Sequence, residues 1–126
     1  MMETWFRYLL ISTAIFNLLG AVIFALPLLG QQKLSGLPQN AHPLYLGTIS
    51  SWIFLFGVAY LWLAFAAKPE PLFIAIAAAA KIAIAILFFI FWTLGELGLT
   101  FVLSGCIDLF FAIAFIYWLL QTSQKT

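Results

Sequence analysis

The chain has 126 residues, of which 66% are hydrophobic and 7% charged, with a formal charge of +1 and a mean hydropathy of +1.16. Soluble domains are about half apolar and about a quarter charged, so this composition excludes a soluble domain and points to an integral membrane protein. Five Lys and Arg cannot make the basic face that phosphate binding needs, which excludes a nucleic-acid partner, and the single Cys106 excludes an internal disulfide.

Four spanning helices with short connections fill a chain of this length, so the reading is all-α: a membrane four-helix bundle forming a single transmembrane domain over 1–126. The first span covers 5–29, apolar apart from Arg7, Ser12, Thr13 and Asn17, with Pro27 and Gly30 as its stop signal. A cleaved signal peptide would have an apolar core of about 7 to 15 residues and a small-residue cleavage site. This run is longer and ends in Leu-Pro-Leu-Leu, so it reads as a retained span. The stretch 30–43, rich in Gly, Pro, Asn and Gln, reads as a loop, and it is the only connection long enough to form a lid.

The second span covers 44–67, with Thr48, Ser50 and Ser51 in its first half. Lys68-Pro69-Glu70-Pro71 is a tight turn, since a proline disfavours helix before it while Pro71 can open the next helix. The third span covers 71–94, Gly95-Glu96-Leu97-Gly98 turns the chain, and the fourth covers 99–120. Arg7, Lys68 and Lys125 fall on one side of the membrane and Lys33 on the other, which places both termini in the cytoplasm by the positive-inside rule. The reading is a multi-pass protein of the cell (inner) membrane.

Lys81 lies halfway along an apolar run in the third span, where an ammonium costs about 2.5 to 3.5 kcal/mol on insertion scales. Something in the chain must meet that charge. At about 1.5 Å per residue from the cytoplasmic ends, Asn17, Lys81 and Asp108 lie about 18, 15 and 18 Å deep, all near the midplane. The tight turn at 95–98 makes the third and fourth spans antiparallel neighbours, so Lys81 and Asp108 are level and are expected to pair. Small residues share their helix faces: Ala77, Ala78 and Ala85 with Lys81, Ser104, Gly105 and Ala112 with Asp108, and Thr13, Ala14, Gly20 and Ala21 with Asn17. The polar centre is therefore read as Asn17, Lys81 and Asp108, with Thr13 and Ser104 as lesser members. Two roles are open for the pair, a structural clasp that fixes register or a functional site.

Thr48, Ser51 and Glu96 mark an outer entrance to this layer. The serines and threonine lack a base that would make them nucleophiles, so helix-to-helix hydrogen bonding is their default role. A lone His42 before Pro43 reads as a helix cap or a hydrated residue and not as a metal ligand, and Cys106 reads as a small buried hydrophobe. No metal site and no cofactor is expected.

Gly105, Asp108, Leu109, Phe111, Ala112, Phe115, Trp118 and Leu119, preceded by Lys81, resemble a pattern in small bacterial four-helix membrane proteins whose layout is that of the DoxX-type proteins. The similarity covers roughly the second half of the chain. It implies a bacterial inner-membrane bundle and brings no activity with it. The expected function is that of a non-enzymatic bundle that meets membrane lipid and binds a hydrophobic or amphipathic small ligand, or an integral membrane partner or second copy, around the polar layer. The alternatives are a small oligomeric transporter or proton-coupled carrier, and a membrane enzyme acting on lipid or isoprenoid substrates.

Overall fold

The computed structural model describes residues 3–66, 68 and 70–124. Its helices in order are α1 (Thr4–Ala25), a 3-10 turn (Leu26–Leu29), α2 (Gln32–Ser35), α3 (Pro43–Ala64), α4 (Pro71–Thr93) and α5 (Leu99–Gln124). Among the described residues four stretches are long and apolar enough to cross a membrane: Thr4–Leu29, Pro43–Ala64, Pro71–Thr93 and Leu99–Ser123, of 26, 22, 23 and 25 residues. About 20 apolar residues suffice to cross a bilayer, so the chain is an all-α, multi-pass membrane protein.

Local chemistry sets the ends. Pro27 has no N–H to return to Ile23, so the α-helical ladder of α1 gives way to the 3-10 turn, which closes on Gly30 at φ 79°. The first span is thus helical over its expected length but changes character for its last four residues. α3 and α4 each open with a proline, at Pro43 and Pro71, where a missing N–H costs nothing. α3 stops at Ala64; residue 67, the expected end, lies outside the described residues. α4 ends in a Schellman turn: the Glu96 N–H reaches Phe91 O at 2.9 Å, the Gly95 N–H reaches Trp92 O at 3.0 Å, and Gly95 takes φ 80°. α5 runs past the expected 120 as far as Gln124. The connection at 30–43 is not all loop, because α2 forms one helical turn inside it. The buried Ser35 makes that turn by donating to Gln32 O at 2.6 Å and accepting from the Leu37 N–H at 3.1 Å.

The chain divides into two compact units, Met1–Pro69 and Glu70–Thr126. In the first, α1 and α3 run antiparallel and are tied by side chains that cross to the partner backbone. Arg7 Nε donates to Ala64 O at 2.8 Å, Asn17 Nδ2 to Ile53 O at 3.1 Å, and Ser50 Oγ to Ala21 O at 2.7 Å. In lipid no hydrophobic force pulls one helix to another, so close packing and such hydrogen bonds must do it. Arg7 also places its cation at the carbonyl end of α3, where the helix dipole favours it.

In the second unit α4 buries Ile74, Ala77, Ala78, Lys81, Ala85 and Phe88, the spacing of one helix face. α5 buries Phe101, Asp108, Phe111, Ala112, Phe115 and Trp118. Phe88 and Phe101 meet edge to face at 5.3 Å. Leu72, Ile76, Ile86 and Ile90 of α4 and Leu103, Phe110 and Ile113 of α5 are exposed, as suits side chains that meet acyl chains.

Candidate polar centre and groove

Lys81 and Asp108 reach each other because their neighbours are small. Each lies on the buried face of its helix, and Gly105, one turn before Asp108, sits against Ala85, so the two backbones come close. Lys81 Nζ donates to Asp108 Oδ1 at 2.9 Å, with the two side chains 6% and 8% exposed. The Nζ also lies 5.4 Å from the centroid of the Phe111 ring, within the range of a cation–π contact. The pairing expected from depth and from the tight turn at 95–98 is present. Ser104, one turn along α5 from Asp108, is half-buried on that helix.

The other expected members of the layer belong to the first unit. Thr13 is fully buried and its hydroxyl bonds its own helix at Leu9 O, 2.8 Å away, while half-buried Asn17 crosses to α3. Of Thr48, Ser50 and Ser51 in α3, only Ser50 makes the helix-to-helix bond expected of all three. Thr48 Oγ1 folds back onto Leu44 O and Ser51 Oγ onto Gly47 O, each at 2.8 Å, and both residues are exposed. Each hydroxyl finds its acceptor in the preceding turn of its own helix. Glu96 is exposed in the turn after α4. Cys106 is exposed, contrary to its reading as a buried hydrophobe. It lies two residues from Asp108, which turns it well off the buried face.

A feature the sequence reading did not isolate lies between α1 and α3. Leu18, Ala21, Val22 and Ala25 form one wall and Ser50, Ser51, Phe54 and Leu55 the other of an open, mostly apolar groove of about 600 Å³. The signal was present in Ala21 and Ala25: small residues on one helix leave space wherever the facing helix offers serines. It lies on the C-terminal side of Asn17 along α1, toward the loop at 30–43.

Chemically, the centre is a satisfied ion pair in an apolar surround, and the groove hydroxyls are engaged with backbone carbonyls, so neither offers an activated nucleophile. Among the described residues no group of three or more His, Cys, Asp or Glu side chains comes together. Comparison with protein-family models, curated proteins and solved structures finds no match to this chain.

Proposed function

We propose that this chain is a bacterial inner-membrane protein that binds a lipid-like ligand and does not transform it. The groove between α1 and α3 takes the ligand's apolar chain, and the Lys81–Asp108 pair fixes the register of α4 on α5. The groove carries the reading: it is open along its length, its walls are mostly apolar, and it lies within the spanning segments. A carrier would need polar side chains continuing from the midplane to both surfaces, and the inner halves of the spans are almost wholly apolar. The resemblance of the second half to DoxX-type proteins supports the bacterial membrane.

Mass spectrometry of lipids retained after detergent exchange tests the groove. The wild type is expected to keep a chain-bearing lipid at near-stoichiometric amount, and Ala25→Phe, which fills the groove from its wall, to lose most of it while keeping its helical circular dichroism. Equal retention by the two proteins would remove the groove from the reading.

Both termini belong in the cytoplasm, because Arg7, Lys68 and Lys125 outnumber Lys33 on the flanks. In a Cys106→Ala background, Lys33→Cys is expected to react with an impermeant thiol reagent in intact cells and Lys125→Cys only after lysis. The opposite pattern reverses the topology.

A further inference from the structure

We infer that the groove between α1 and α3 selects an uncharged lipid whose head is a hydroxyl, held by the oxygen of Ser51; the inference rests on the reading of that groove as a lipid site. Hydrogen-bond polarity decides it. Among the wall residues only Ser50 and Ser51 carry polar side chains, and a serine hydroxyl has one proton to give and two lone pairs with which to receive. Both protons are already engaged: Ser50 Oγ donates to Ala21 O at 2.7 Å and Ser51 Oγ to Gly47 O at 2.8 Å. Among the described residues neither oxygen receives a hydrogen bond in return. The backbone adds no donor, because the wall residues lie inside α1 and α3, where each N–H belongs to the helical ladder. The groove therefore offers acceptors alone, and its occupant has to bring the proton.

Charge narrows the head group further. Between Arg7 and Lys33, and again from Pro43 to Ala66, the chain has no Lys, Arg, His, Asp or Glu. Ser51 lies about 12 Å along α3 from Pro43, well inside the span. A phosphate or carboxylate at that point would set lone pairs against lone pairs and leave its charge without a partner. An ammonium could donate but would meet no carboxylate, and a charge buried without a partner is costly. A hydroxyl has the proton and no charge. Ser51 is the seat because it is exposed and bonds only its own helix, whereas the half-buried Ser50 ties α3 to α1. Leu55, one turn further on the same face of α3, continues the apolar bed, so the lipid chain runs from Ser51 toward the middle of the span.

Three probes with the same chain separate proton from charge: hexadecanol, its methyl ether, which accepts but cannot donate, and hexadecyl phosphate. The full chain in detergent micelles is given all three in equimolar mixture and repurified, and the retained probes are counted by mass spectrometry. Ala25→Phe supplies the background held by the micelle. The wild type is expected to retain hexadecanol over the ether by about fivefold, the effect of one hydrogen bond, and the phosphate least. Ser51→Ala, which leaves the bonds from α1 to α3 intact, should bring alcohol and ether to parity, and Ser51→Thr, which keeps a hydroxyl, should preserve the preference. Alcohol and ether retained equally above background, a preference that survives Ser51→Ala, or a preference for the phosphate overturns the inference and leaves the groove as a lipid site. Equal retention of every probe by the wild type and Ala25→Phe removes the groove itself, and the inference with it.

Discussion

Lys81→Ala is expected to cost about 3 to 5 kcal/mol of stability, the usual penalty for breaking a buried ion pair from one side. The reason is what remains: Asp108, 6% exposed, would keep its place on α5 without the ammonium 2.9 Å away. The double change Lys81→Met with Asp108→Leu removes both charges at similar volume and is expected to stay near wild-type stability. The contact of the ammonium with Phe111 is lost as well, at about 0.5 to 2 kcal/mol, but a methionine sulfur beside the same ring returns about 0.3 to 1.5 kcal/mol. Desolvation of two charges disappears at the same time, which tips the balance toward the double variant. The aggregation temperature of the detergent-solubilised protein reads both, with no need to know the ligand. Wild-type stability in Lys81→Ala would mean that the pair does not hold α4 to α5. A double variant as weak as the single one would mean that the pair adds net stability of its own.

This pair was legible before the structure because three simple constraints meet on it. The turn at 95–98 is too short for anything but antiparallel neighbours, counting residues sets depth, and a lone cation in an apolar run needs an anion at its level. The alanine and glycine faces followed from the same logic, since only small side chains let the backbones come near enough. Helix ends were less legible, because hydropathy marks where the membrane stops and not where the backbone ladder stops. Thus α5 continues through its polar tail, where Gln121 Nε2 bonds Tyr117 Oη one turn back at 2.8 Å. The single turn of α2 is made by side chains, Ser35 and Gln32, that close on their own backbone, and no periodicity announces four residues. The groove was least legible of all. It is a space and not a residue, and it exists only once Arg7, Asn17 and Ser50 have set which turn of α1 faces which turn of α3.

One substitution is expected to behave in opposite ways at two glycines, one in each unit. Gly→Ala inside a helix gains up to about 1 kcal/mol from propensity alone, so the sign at each site depends on what the new methyl meets. At Gly105 it would lie 3.4 Å from Phe89 Cε1, the edge of a ring that can turn, and 3.5 Å from Ala85 Cα, an ordinary contact. Gly105→Ala should be neutral or stabilising. At Gly57 the methyl would lie 3.2 Å from Asn17 Cβ, 3.3 Å from Leu18 Cδ2 and 3.4 Å from the backbone oxygen of Ala14. The leucine tip can move. The Asn17 Cβ and the Ala14 carbonyl are fixed to the α1 backbone, so relief requires α1 and α3 to separate, which stretches the Asn17 to Ile53 bond from its 3.1 Å. Overpacking of this kind costs about 1 to 3 kcal/mol, more than the propensity gain, so Gly57→Ala should be destabilising. Aggregation temperatures in the same detergent should therefore fall for Gly57→Ala and hold or rise for Gly105→Ala. If the two variants shift together, the close approach of α1 to α3 at Gly57 is wrong, and with it the wall spacing that creates the groove.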